Sequence, residues 1–345
     1  MRAQATDQAT DQATDTGTGE SFRRGTARRA LPPAVVKELT RQDDGRAWRG
    51  VAELVLSIAG FMAIALLLWH PLVIFACMIL IATRQQACFV IAHDAAHYRL
   101  FSHRALNDLV GRFFGMIVGI SMPAYRVVHR LHHNHLYEPQ DPDIPIHAGY
   151  PRGRDYLFRK LTRDLLGLTA FKTYRYFFGN PAINTDQGTG EGSRPLDDTS
   201  PRLRAAARAD RWWVLGFHVA APLLALSGGV FTEYLLLWAL PLVTFLQPLL
   251  RLRAICEHGA VPDTTSPLRA ARTNTGHPVL MWLFFPCNVH FHVEHHMYPA
   301  IPFYNLPAAH RAMRAHGLAA EAEVREVGDT LRRVMADPVR KSAQA

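Results

Sequence analysis

The sequence predicts an all-α integral membrane protein: four transmembrane helices in two hairpins, joined by interfacial helices and covered by a cytoplasmic helical cap. Three observations predict it. Four apolar runs approach the roughly 20 residues an α-helix needs to cross a bilayer. The basic residues sit almost wholly outside those runs. The 18 histidines gather at the ends of the runs and in the segments between them.

Taken in order, residues 1 to about 20 repeat ATDQ and end in TGTGES, a polar low-complexity pattern that cannot bury a core. The polar, basic stretch 1–48 is read as a disordered tail. No apolar h-region follows its first charges, so it is not read as a signal peptide. The membrane domain is expected at 49–310. Its spans are expected at 51–69, with Glu53 near the start, and at 71–92, interrupted by Arg84, Gln85 and Gln86. Two more are expected at 212–230, with His218 inside, and at 234–250. A lipid-facing charge costs about 2.5–3.5 kcal/mol at the centre of a span, so Arg84 and its neighbours are expected to face protein or a polar cavity. Stretches 113–125 and 278–286 are too short to cross and read as interfacial or re-entrant pieces. The Gly/Ser/Asp-rich stretch 184–201 reads as a flexible loop. Its GTGEG lacks the GK[ST] of a phosphate-binding loop. Residues 311–345 form a C-terminal cytoplasmic segment and tail, with amphipathic helix over about 308–336.

Mean hydropathy is only −0.03 because polar ends dilute the apolar runs. Of 38 basic residues, nine precede residue 51, seventeen lie in 93–211 and eleven follow residue 250; the last is Arg84. That is the positive-inside pattern for two hairpins with both termini cytoplasmic. The net charge of +9 is spread over these segments, so nucleic acid is not the expected partner. Only four cysteines are present, with no CxxC pair, which excludes a disulfide scaffold. Arginine outnumbers lysine 34 to 4, a coding bias that points to a bacterial inner membrane.

Three histidine clusters carry the chemistry: His93-Asp94-Ala95-Ala96-His97, His129-Arg130-Leu131-His132-His133 and His292-Val293-Glu294-His295-His296. On a helix, positions i, i+3 and i+4 share one face and can converge on one metal. Neutral imidazole suits Fe, Cu, Zn and Ni, so spacing alone does not name the ion. Under the positive-inside topology all three clusters fall on the cytoplasmic side, which makes the cap a metal-binding one.

HDAAH, HRLHH and HVEHH resemble the three histidine boxes of the membrane fatty acid desaturase and hydroxylase superfamily. The resemblance covers about residues 50–310, including box order and the two-hairpin topology. It implies two iron ions held by His93, His97, His129, His132, His133, His292, His295 and His296. A ninth ligand, His258 in Glu257-His258-Gly259, matches a family position before the third box. His135 and His290 are alternates beside the boxes. His70, His103, His147, His218, His277, His310 and His316 receive no role. Asp94, Glu257, Glu294 and Asp141 are candidates to orient ligand imidazoles from behind; for Asp141 and Asp143 a solvated turn is an even alternative. Arg253 and Arg272 are expected to pair with acids of the protein. The three-residue gap of the first box is unlike acyl-CoA desaturases and similar to acyl-lipid, sphingolipid and carotenoid-modifying members. The third box begins with His292 where front-end desaturases carry Gln, and no HPGG-type cytochrome b5 motif occurs.

The resemblance implies an O2-dependent desaturase of fatty acyl chains, fed by an external electron donor (ferredoxin or cytochrome b5-like) and working among membrane lipids. No side-chain acid or base can remove hydrogen from an unactivated methylene, which favours iron over redox-inert zinc. Loss of a second hydrogen gives an alkene, whereas oxygen rebound gives an alcohol. A hydroxylase or ketolase of a carotenoid, sterol or other apolar lipid is therefore the alternative. A membrane metal transporter is the remote one, since transporters hold ligands near the midplane.

Overall fold

The computed structural model describes residues 30–179, 183 and 200–338. The ATDQ repeat and residues 184–199 of the expected loop lie outside the described residues.

Two elements precede the membrane region: α1 (Pro33–Leu39) and the start of α2 (Asp44–Leu67). Residues 30–48 are thus structured, although their composition assigned them to the tail. Asp43 caps α2 by accepting from the Arg46 N–H at 3.1 Å. Its own N–H donates to the Tyr304 hydroxyl at 2.8 Å, and that of Leu31 to the Tyr298 hydroxyl at 2.8 Å. These long-range ties, which polarity cannot reveal, hold the segment against the cap.

Helix α3 (Pro71–Ala96) opens with Pro71 behind a His70 cap, a position where proline's missing N–H costs nothing. It continues past the expected end at 92, so His93 rides its last turn and His97 forms its C-cap. Of its membrane-length stretch 78% is buried in protein, against 17% for α2. The bundle is therefore built around α3. Helices α4 (Arg104–Ile117) and α5 (Met122–Asn134) meet at 97°, as a broken span or re-entrant loop. The corner needs Gly119: its φ is +83°, and a Cβ there would come within 2.6 Å of the Tyr174 ring.

After α6 (Ile144–His147), α7 (Arg154–Leu165) and α8 (Ala170–Gly179) come α9 (Pro201–Ser227) and α10 (Phe231–His258), the latter with a π-turn at Leu235–Ala239. Among the described residues α2, α3 and α10 are long and apolar enough to cross a membrane, and the bent α4–α5 pair makes four if it counts as one span. The helix holding the expected third span, α9, is not among them. Its first half carries Arg202, Arg204, Arg208, Asp210 and Arg211. Its second half nevertheless turns Leu215, Val219, Leu223 and Leu224 outward.

Arg84, Gln85 and Gln86 face protein, as expected, and all three are buried. The Arg84 guanidinium donates to the Trp282 carbonyl at 2.5 Å and lies 3.8 Å from the Trp282 ring centroid. Gln86 donates to the Phe284 carbonyl at 2.6 Å and Gln85 to that of Trp238 at 2.9 Å. They satisfy carbonyls at the end of α11 (Pro278–Phe284) and in the π-turn, groups that a hydrocarbon environment would leave unpaired. Replacing Arg84 with leucine should cost about 2–3 kcal/mol of stability. Thermal unfolding in detergent measures it, and a loss below about 1 kcal/mol would refute the capping role.

Among the described residues one short pairing departs from an all-helical chain. Strand β1 (Thr273–Thr275) pairs in parallel with β2 (Val324–Glu326). Three-residue strands leave no period to read. The strand also breaks the single helix expected over 308–336. Helix α13 (Leu306–Ala315) ends before Gly317, at φ +77°, and α14 (Val327–Val334) starts afresh after β2. Between β1 and α13 lies the short helix α12 (His292–Met297).

Candidate metal centre

Each histidine cluster is presented by a helix whose periodicity aims it. The first comes from the C-terminal end of α3, the second from α5, the third from α12; His258 is the last residue of α10. Candidate ligand atoms of His93, His97, His129, His133 and His295 all lie within 4.8 Å of one another. Those of His132, His258 and His296 do the same. His292 joins this second group, its Nε2 2.8 Å from that of His258 and 3.1 Å from that of His296. The nine expected imidazoles thus form adjoining groups of five and four. The rings of His133 and His296, stacked with centroids 4.4 Å apart, are where the groups meet.

Which nitrogens face inward follows from what holds the others. His93 Nδ1 lies 3.1 Å from Asp94 Oδ1, His132 Nδ1 3.0 Å from Asp141 Oδ1, and His258 Nδ1 3.4 Å from the Ala270 carbonyl. An Nδ1 that donates its proton leaves Nε2 as a bare acceptor. Yet Nε2 atoms meet head to head, at 3.0 Å for His93 and His295, 3.0 Å for His133 and His295, and 3.3 Å for His132 and His258. His97 Nε2 is buried with no hydrogen-bond partner. Lone pairs converging on lone pairs, with an orphaned nitrogen among them, are the donor set of a cation site, so the residues present fit bound metal. Burial, reinforced by neighbouring cationic groups and imidazoles, holds His292, His295 and His296 well below the ordinary histidine range. They are neutral, as ligands must be, before any ion arrives.

The acids divide. Asp94 Oδ1 lies against His93 Nδ1, and its Oδ2 accepts from the Phe303 N–H at 2.7 Å. Asp141 holds His132, which removes the solvated-turn alternative for it; its carboxylate is fully buried. Glu257 lies 3.2 Å from the Arg253 guanidinium and 3.8 Å from His292 Nε2. Glu294 is a correction. Its carboxylate accepts from Thr273 at 2.5 Å and faces His310 Nδ1 at 2.6 Å, so it fastens α12 to β1 and α13 instead of orienting a ligand. Arg253 pairs with Glu257 as expected, and Arg272 pairs with Glu323.

Two of the histidines given no role in sequence face buried acids here: His310 on Glu294 and His147, whose Nε2 is 3.3 Å from Asp141 Oδ2. Tyr125 was also missed, and its ring stacks on His129 at 5.2 Å and 11°. No spacing rule links His147 or His310 to its partner, whereas Tyr125 stands one helical turn before His129 on α5, a spacing the sequence does offer. His135 faces Glu138 at 2.8 Å, and neither it nor His290 belongs to the groups of five or four. His70 and His277 cap helices, and His218 faces the Met116 carbonyl at 2.9 Å.

The family model described as fatty acid desaturase matches residues 68–327, three quarters of the chain, and spans all nine of these histidines. The chain belongs to the fatty acid desaturase family. Members of that family are generally iron-dependent oxidoreductases of lipid metabolism that take lipid or acyl substrates and O2. It is 25% identical over 244 residues to a dihydrorhizobitoxine desaturase of Bradyrhizobium elkanii, covering 68% of this chain and 66% of that one. It is also 25% identical over 304 residues to an sn-1 oleoyl-lipid 12-desaturase of Anabaena variabilis, covering 81% and 79%. An endoplasmic reticulum omega-3 fatty acid desaturase of Vigna radiata var. radiata is 26% identical over 250 residues, covering 66% and 61%. The chain thus spans just under two thirds of the first of these relatives' length.

Proposed function

We propose that this desaturase-family chain introduces a double bond into a fatty acyl chain of an acyl lipid, using O2, two irons and electrons from an external ferredoxin or cytochrome b5-like donor. The observation that carries the reading is the pair of adjoining imidazole groups, five and four, where the ends of α3 and α10 meet α5 and α12. His93, His97, His129, His133 and His295 would hold one iron, and His132, His258, His292 and His296 the other. Iron, when bound, supplies the one-electron chemistry with O2 that an unactivated C–H bond demands. The protein's part is positional: Asp94 and Asp141 keep Nδ1 protonated and the rings turned inward, and the buried site keeps bulk water away. The family and the oleoyl-lipid relative support an acyl substrate. The distribution of arginine supports four spans in two hairpins, with termini and boxes on the cytoplasmic side of a bacterial inner membrane. A transporter is disfavoured, because the groups sit at helix ends and not at mid-span.

Mass spectrometry of lipids from host membranes expressing the wild type or His132→Ala tests the reading. New unsaturated acyl chains that vanish in the variant are expected. New oxygenated lipids that vanish would move the assignment to a hydroxylase. If iron-loaded wild type yields neither, acyl lipids are not its substrate. The relative named for dihydrorhizobitoxine then directs the search to that compound and its kin.

A further inference from the structure

We propose that His147 is the positioning residue of the four-histidine group: through Asp141 it fixes the ring of His132, and its own ring braces His132 against His258. The inference rests on the two-metal reading above and adds a residue to it.

His147 ends α6, a single turn of four residues, and its side chain is fully buried. Its Nε2 is 3.3 Å from Asp141 Oδ2, while Asp141 Oδ1 is 3.0 Å from His132 Nδ1. The carboxylate therefore bridges two imidazoles, one of them a candidate ligand. Backbone N–H groups of Tyr137, at 3.1 Å on Oδ2, and of Asp143, at 2.9 Å on Oδ1, complete four donors around it.

The His147 ring also has a packing role. Its centroid is 5.9 Å from that of His132 on α5 and 5.0 Å from that of His258 on α10. It thus sits between ligands delivered by two different helices. The Tyr137 ring, 5.1 Å away, closes the other side, with its hydroxyl 2.6 Å from the His258 carbonyl. His147 Nδ1 is buried and has no hydrogen-bond partner. An apolar residue would avoid that orphan, so what the position requires is the N–H at the other end of the ring. Among the described residues the five-histidine group has no such arrangement: its carboxylate, Asp94, is backed by the Phe303 N–H. Loss of the His147 donor should accordingly weaken one group and spare the other.

The test measures iron per chain and the 57Fe Mössbauer spectrum of purified His147→Phe and His147→Gln. Phenylalanine keeps the ring without the donor; glutamine keeps a donor. His147→Phe should fall from about two irons to about one, losing one spectral component, with outer-partner losses weakening metal binding by ~10–100-fold. His147→Gln should retain both. Two irons and an unchanged spectrum in His147→Phe would overturn the proposal, as would equal loss of both irons in either folded variant. If His147→Phe does not accumulate, one iron in His147→Gln overturns the donor role and two uphold it. A wild type holding fewer than two irons would instead sink the two-metal reading on which the proposal stands.

Discussion

His295→Ala should abolish product formation, with a loss of more than about 100-fold, beyond the ~10–100-fold typical of removing an outer partner. The reason is its place in the five-histidine group. Its Nε2 lies 3.0 Å from that of His93 and 3.0 Å from that of His133, so one ring closes contacts with ligands from both α3 and α5. Removing it opens the side of the group that α12 supplies. The ring is buried, on a short helix pinned by Glu294. Lipid profiles together with iron content decide the matter. Retained desaturation, or full iron occupancy with an unaltered spectrum, would contradict the assignment of His295 as a ligand.

Arg272→Met should be the most destabilising single change in the cap. Arg272 is fully buried, with its Nε 3.0 Å from Glu323 Oε1. Its guanidinium also donates to the carbonyls of Cys256 at 3.1 Å, Gly259 at 2.9 Å and Ala260 at 3.2 Å. One side chain thus gathers the chain around His258 and ties it to the β2 side of the cap. Removing one partner of a buried ion pair costs about 3–5 kcal/mol because the other is left without compensation. Arg325, 3.0 Å from the same Glu323 oxygen, offsets part of that loss for the acid but reaches none of the three carbonyls. Unfolding monitored in detergent checks the size, and a decrease under about 1 kcal/mol would discard the argument. The same variant should bind less iron at the four-histidine group, since His258 sits between two of the released carbonyls.

Much of the site was legible because helix geometry converts a short spacing into a shared face. HDAAH, HRLHH and HVEHH each needed only one or two helical turns to be right, and α3, α5 and α12 provide them. His258 was reachable through family resemblance, and Asp94 through adjacency. His147 and His310 were not, because their partners lie 6 and 16 residues away across irregular chain, where no period applies. Glu294 misled for the opposite reason: adjacency to His295 implied a ligand contact, while the turn of α12 carries its carboxylate towards Thr273. Hydropathy found every long apolar run. It could not foresee that α9 would begin at Pro201 and enter carrying five charges, nor that residues 30–48 would be bound to tyrosines some 260 residues onward.

The depth at which α3 lies in the bundle has a consequence for how the gene can change. A hydropathy scan scores α2 and α3 alike, yet 17% of the one and 78% of the other is enclosed by protein. On α2, leucine, valine and phenylalanine are interchangeable wherever lipid is the neighbour, because acyl chains conform to any apolar shape. On α3 the neighbours are fixed side chains, so a methylene gained or lost is felt as it is in a soluble core. Random mutagenesis scored for function should therefore accept apolar exchanges freely along Leu56, Leu67 and Leu68 but reject them at Ile81, Cys88 and Ile91.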